Sequence, residues 1–181
     1  PLPPPLPMEP RAGVAPERRL SGVRVLLTDD DPDLRAVLER SLANAGAEVR
    51  TVEDGARALS TAWSWDADTI LLDASMPGMD GFEVCRRLKA DPATRLVPVL
   101  MITGYDTADD RRRVLEAGAD GIIPKPFVRE ELLRRVRSAA RMKQATDLLE
   151  RTDEALVLMA RTVEGKDPDT LGHCERLSDY S

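Results

Sequence analysis

Five short apolar runs recur between residues 23 and 124, each followed by a stretch with helical spacing, and this alternation restricts the fold more than any other feature of the chain. The runs are "VRVLLT" (23–28), "EVRTV" (48–52), "TILLD" (69–73), "VPVLMIT" (97–103) and "GIIP" (121–124). Most are apolar on both faces, as strands between two covering layers must be, and a parallel sheet provides that burial. In 33–45, Leu34, Val37, Leu38, Leu42 and Ala45 fall on one helical face, and Gly46 stands where a C-terminal cap belongs. Helices are likewise predicted over 55–63, 81–90, 108–119 and from Val128 onward. Strand and helix alternating five times predict an α/β domain with a doubly wound, five-stranded parallel sheet of the flavodoxin-like type. A long helical extension comes after it.

Composition narrows the function classes. The 181 residues carry a formal net charge of −6 with only 3% aromatics, so no broad basic or arginine–aromatic surface points to nucleic acid. The core must be aliphatic. Cys85 and Cys174 lie far apart and have no metal-ligand spacing. No apolar run reaches the length of a membrane span, and the start lacks a signal-peptide pattern, so a soluble cytoplasmic protein is expected. Six of the fourteen prolines stand in the first ten residues, which reads as an extended, disordered tail over 1–20.

In an open parallel sheet, functional groups gather beyond the carboxyl ends of the strands. Here the first run ends in "TDDDPD" with Asp29, Asp30 and Asp31, the third in Asp73, the fourth in Thr103–Gly104 and the fifth in "PKPF" with Lys125. Clustered carboxylates repel and call for a hard cation such as Mg²⁺. A carboxylate beside such an ion can attack phosphorus and form an aspartyl phosphate, with a lysine and a hydroxyl holding the phosphoryl oxygens. Taken singly, each residue has a plainer reading. Asp31 or Asp33 suits a helix N-cap, Asp73 a solvated strand end and Lys125 a surface cation. Pro77 and Gly78 predict a defined turn beside Asp73.

Taken together, the segments "VLLTDDDPDLR", "LLDASMPGMDG", "VLMITG" and "IIPKPF" resemble those of response-regulator receiver domains of two-component signalling, over roughly residues 22–140. The resemblance implies that Asp73 accepts phosphoryl from a sensor histidine kinase. Asp29 and Asp30 would then be the acids of the Mg²⁺ site with Asp30 as a direct ligand, and the Ser75 backbone carbonyl a further ligand. Thr103 and its neighbour Gly104 correspond to the switch segment, and Lys125 to the phosphate-pairing lysine, followed by a cis Lys–Pro bond. One position departs from the pattern: where members of the family often carry Tyr or Phe, this chain has Ile122. The aromatic half of the usual switch is therefore missing, which leaves the Thr103 loop and the following helix to relay the signal.

No Gly or Pro interrupts residues 128–164, which predicts one long helix continuing from the last receiver helix, with 141–165 as a linker or signalling helix. Met142, Leu149, Leu156 and Val163 recur every seven residues with Ala145, Thr152 and Met159 between them. Such spacing predicts a two-stranded coiled coil and hence a homodimer, against the plainer reading of an amphipathic helix packed on its own domain or on a missing one. The segment "DPDTLGH" (167–173) resembles the opening of HD-GYP domains, which hydrolyse cyclic di-GMP at a metal cluster. That resemblance implies His173 as a first metal ligand and Asp169 as an additional acidic one, with 166–181 the start of an output domain. His173 is the sole histidine, and no His-Asp pair or Gly-Tyr-Pro triplet occurs, so this chain itself is not expected to be an enzyme. The phosphodiesterase would be a property of the parent protein.

Two rival readings remain in view. A receiver-like interaction module that never takes phosphate would use the acids only for structural Mg²⁺. A phosphohydrolase of the haloacid-dehalogenase type also uses an Asp nucleophile, but it expects a second Asp two residues later, where Ser75 stands.

Overall fold

The computed structural model describes residues 19–104 and 108–164. Strands β1 (Arg24–Thr28), β2 (Glu48–Val52), β3 (Thr69–Asp73), β4 (Val99–Thr103) and β5 (Gly121–Pro124) alternate with helices α1 (Pro32–Asn44), α2 (Gly55–Ser64), α3 (Gly81–Ala90), α4 (Ala108–Glu116) and α5 (Arg129–Glu164). The strands form one parallel sheet in the order β2-β1-β3-β4-β5. The predicted doubly wound α/β fold with a long C-terminal helix is the fold observed.

Local chemistry explains where the helices begin. Asp31, Asp54 and Asp80 are the N-caps of α1, α2 and α3, and each side chain accepts from backbone N–H groups of the first turn. A cap of this kind contributes about 1 kcal/mol. Gly46 lies just past the C-terminus of α1 at φ 96°, in the left-handed region that ends helices cheaply for glycine.

Side-chain alternation along each strand sorts the core into two layers. Leu26, Ile70, Leu72, Val99 and Met101 pack with α2, α3 and α4, through residues such as Leu59, Phe82, Leu88 and Val114. Val25, Leu27, Leu71, Leu100, Ile102 and Ile123 face Leu38 and Leu42 of α1 and Leu132, Val136 and Ala140 of α5. Cys85 is fully buried among the first set, and burial pushes its thiol up to about 11, as befits a structural side chain. Two sequence expectations need correction. Leu20, read as the end of a disordered tail, is 0% exposed, and its N–H donates to the Ala45 carbonyl, because the segment before β1 folds back over α1. Val37, assigned to the buried face of α1, is 60% exposed, since it lies at the edge of the apolar stripe that Leu38 and Leu42 define. The rest of the proline-rich segment, residues 1–18, lies outside the described residues.

Among the described residues, one buried side-chain polar atom lacks a hydrogen-bond partner: the hydroxyl of Thr28, at the end of β1. Burying a hydroxyl without a partner costs free energy that a methyl group of the same shape would not. Thr28→Val is expected to raise the unfolding free energy by about 1 kcal/mol, read from the urea midpoint. A lower midpoint would show that the hydroxyl is satisfied in solution.

No helix among the described residues is long and apolar enough to cross a membrane.

Candidate functional site

The chain crosses from one side of the sheet to the other between β1 and β3, and it is there that their carboxyl ends lie side by side, with Thr28 in register with Leu72. Asp29 comes directly after β1, and Asp73 is the last residue of β3. Both are nearly inaccessible, at 1% and 4% exposure. β4 delivers the buried Thr103 next to β3, and β5 leads into Lys125.

Lys125 joins the two acids. Its Nζ donates to Asp73 Oδ1 at 2.6 Å and approaches Asp29 Oδ2 at 3.4 Å. The other Asp73 oxygen accepts from the Ser75 backbone N–H at 3.0 Å, and Asp29 Oδ1 accepts from the Asp31 N–H at 2.9 Å. Both carboxylates are thereby held in orientation. The Lys125 N–H donates to the Thr103 carbonyl, which ties the β5 end to the β4 end, and the Lys125–Pro126 bond is cis. Arg35 of α1, a residue without a distinguishing sequence signal, donates to the Asp29 carbonyl at 2.5 Å.

The electrostatics are unbalanced toward negative charge. Burial raises the Asp29 carboxyl above its ordinary value, and the Asp31 N–H and Lys125 only partly offset it. For Lys125, burial pulls the ammonium down, but Asp73 and then Asp29 outweigh it and hold it above its ordinary value. In a simple ion pair the acid would shift downward. At Asp29 desolvation outweighs pairing, because one ammonium serves two buried carboxylates.

The remaining site residues lie around this pair. Asp30, Ser75 and Gly104 are exposed at the mouth. Among the described residues no three His, Cys, Asp or Glu side chains converge as a ready-made metal cage; the acids that meet are Asp29 and Asp73. Ile122 is half-buried in β5, in register with Met101, packs on the α2–α3–α4 side of the core and lines a surface pocket of about 360 Å³ with Arg111 and Val114. His173 and Asp169 lie outside the described residues.

Two supporting features have no counterpart among the sequence expectations. The predicted Pro77–Gly78 turn is present, with Gly78 at φ 80°, but the tighter constraint lies at Gly81. A Cβ there would stand 2.1 Å from the Asp73 carbonyl oxygen, so the α3 N-terminus can touch the Asp73 backbone only through glycine. Next to it, the Phe82 ring lies 4.0 Å beneath the Arg113 guanidinium of α4, which also approaches Asp80 at 3.6 Å. Neither contact has a local signal, since each joins segments that only the fold makes neighbours.

Comparison with known proteins accords with this geometry. Residues 25–137 match the response regulator receiver domain. The transcriptional regulatory protein TcrA of Mycobacterium tuberculosis is 42% identical over 134 residues, 72% of this chain and 52% of TcrA. The response regulator PleD of Caulobacter vibrioides is 46% identical over 126 residues, 70% of this chain and 28% of PleD. The chain thus spans about half the length, or less, of these curated relatives. Among solved structures, the chemotaxis protein CheY4 of Vibrio cholerae is 32% identical with a TM-score of 0.62, covering 65% of this chain and 98% of its own. The receiver domain of the sensor histidine kinase PA1611 from Pseudomonas aeruginosa, which coordinates a magnesium ion in its active-site cleft, is 33% identical with a TM-score of 0.63, covering 66% of this chain and 98% of its own. With four strand ends converging on two buried acids and one lysine, and with this match across most of the domain, the chain belongs to the response regulator receiver domain family.

Proposed function

We propose that this chain is the phosphoacceptor part of a response regulator, in which a sensor histidine kinase donates phosphoryl to Asp73. The observation that carries this reading is the Lys125 bridge, 2.6 Å from Asp73 and 3.4 Å from Asp29, at the switch point of the sheet. Two buried carboxylates sharing one ammonium form a hard-oxygen donor set with surplus negative charge, which suits a cation that keeps most of its waters. Asp29, Asp30 and Asp73 with the Ser75 backbone carbonyl are the residues that would hold Mg²⁺. When bound, Mg²⁺ neutralises the carboxylates and the charge that develops on the phosphoryl oxygens.

The residues of the chain divide the remaining work. Lys125 and the Ser75 N–H each hold one Asp73 oxygen, which fixes the plane of the carboxylate. An Asp73 oxygen attacks phosphorus, and the P–N bond to the kinase histidine breaks, its electron pair leaving on nitrogen. The phosphoryl group of the product carries roughly −1.5 to −2 charges, where the free carboxylate carried −1, so the site gains about one negative charge. Lys125 and the Thr103 hydroxyl then turn toward the phosphoryl oxygens, and the Thr103 loop carries the change to α4. Ile122 offers no aromatic rotor, so the α4 contacts, with Arg113 stacked on Phe82 and facing Asp80, are the route this chain has.

Phosphorylation alters the geometry of a homodimer formed through the extension of α5, and so controls an output domain in the parent protein. The "DPDTLGH" segment with His173 and Asp169 supports an HD-GYP cyclic di-GMP phosphodiesterase in that role.

Intact-mass spectrometry after incubation with acetyl phosphate and Mg²⁺ tests the central step. The wild type is expected to gain one phosphoryl adduct and Asp73→Asn none. Absence of an adduct, with Mg²⁺ binding present and beryllofluoride not bound, would favour the phosphorylation-independent interaction module instead.

A further inference from the structure

Helix α5 reverses its apolar face partway along. Up to Lys143 its buried residues are Leu132, Leu133, Val136, Ala139, Ala140 and Lys143 itself, all turned to the sheet or its lower rim. From Met142 onward the heptad residues Met142, Ala145, Leu149, Thr152, Leu156 and Met159 are all exposed. At 3.6 residues per turn the two sets centre about 170° apart. The helix therefore presents its heptad stripe away from its own receiver. Over the same stretch the receiver-facing side is charged: Lys143 pairs with Asp147, and beside them Glu150, Arg151 and Glu154 lie across a shallow pocket from Asp66. The Asp66 carboxyl is held below its ordinary value by Arg24 first, and further by Lys143 and Arg151.

Among the described residues, no part of the chain's own domain packs on the stripe. The stripe fits a second copy of the same helix. In a parallel, in-register pair the flanking positions that meet across the seam are Arg141 with Thr146 and Leu148 with Asp153, so no like charges face each other there. The acids and bases of this stretch fall mostly on the outer positions 143, 147, 150, 151 and 154. Leu148 widens the stripe, whereas Val157 and Leu158 lie outside it, all three exposed.

We propose that residues 142–159 of two copies form a parallel, in-register seam that is present before phosphorylation, with the two receivers on opposite outer flanks. This deepens the dimer reading given above and rests on it. Since each receiver faces away from the seam, receiver-to-receiver contact does not assemble the pair. Phosphorylation acts on a dimer already made.

The test uses the whole chain. By sedimentation equilibrium the wild type is expected at twice the chain mass, both without phosphoryl donor and with beryllofluoride. The double variant Leu149→Lys, Leu156→Lys is expected to associate at least about 100-fold more weakly, since charges would be buried in the seam, while it still binds beryllofluoride. In a Cys174→Ser background, Ala145→Cys is expected to form a disulfide-linked dimer on mild oxidation, and Asp147→Cys, on the receiver side, is not. A wild type that is monomeric until beryllofluoride is added, a double variant that stays dimeric, or equal cross-linking at 145 and 147 would each overturn the proposal. Failure of the wild type to bind beryllofluoride would instead count against the phosphoacceptor reading and leave the mass result to judge the seam.

Discussion

Gly81→Ala is expected to destabilise the domain by about 3 kcal/mol, at the upper end for an overpacking substitution, and to abolish phosphoryl uptake at Asp73. The added methyl carbon would lie 2.1 Å from the Asp73 carbonyl oxygen and 3.0 Å from the Ala74 Cα, and both neighbours are backbone. Neither can rotate aside as a side chain would. Either the α3 N-terminus lifts off or the Asp73 segment shifts. Lifting breaks the bond from the Gly81 N–H to the Ala74 carbonyl and displaces Phe82 from the core. Shifting moves the carboxylate that Lys125 and the Ser75 N–H orient. A thermal melt should show a midpoint lower by about 10 °C, at a few degrees per kcal/mol for a domain of this size. Gly104→Ala is the control, since a Cβ there meets nothing within 4 Å among the described residues, and it should keep wild-type stability. Equal melting of the two variants would mean that the Asp73 turn is softer than its close contact implies.

The second large effect is expected at Lys125, and its signature is a change of opposite sign for two ligands. Lys125→Ala removes the one ammonium that serves two buried carboxylates. Both carboxylates are nearly inaccessible, so their attraction to Lys125 exceeds the ~0.2–1 kcal/mol typical of exposed pairs, and about 1.4 kcal/mol corresponds to tenfold in affinity. Mg²⁺, which competes with that ammonium for the carboxylates, is expected to bind about tenfold more tightly to Lys125→Ala by calorimetry. Beryllofluoride, which carries negative charge to the same place, is expected to bind at least about tenfold more weakly. Lys125→Arg retains the charge and should fall between. If both ligands weaken together, Lys125 supports the local structure and does not balance the charge of the site.

The strands were legible because a buried parallel sheet writes itself as continuous apolar runs. "TILLD" and "GIIP" appear as β3 and β5 with the predicted bounds, and α3 likewise covers 81–90. The strand-end acids, Thr103 and Lys125 were legible for a related reason: topology compels a parallel sheet to collect the residues just past its strands at one edge. Val37 was misread because periodicity ranks faces but does not locate the neighbour that covers them, and Leu20 because proline-rich composition marks a tail without marking where it ends. Gly81 looked like an ordinary first residue of a helix, and nothing local to it records that the Asp73 carbonyl lies against its Cα.

Local sequence was enough to set the order of elements, their approximate bounds, an aspartate cap at the start of α1 and the set of groups at one end of the sheet. All of these come from short-range periodicity and from the rule that parallel strands point the same way. Which of the acids meet was settled by folding alone. Asp29 and Asp73 are buried and share Lys125, while Asp30, adjacent in sequence to Asp29, is left at the surface. Folding also settled which way the heptad stripe of α5 looks. The spacing of Met142, Leu149 and Leu156 announces a seam, but only the packing of Leu132, Val136 and Ala140 against the sheet sets that seam on the far side of the helix. One cause underlies both cases: charge balance and burial depend on distances between residues remote in sequence, and those distances exist only once the sheet has formed.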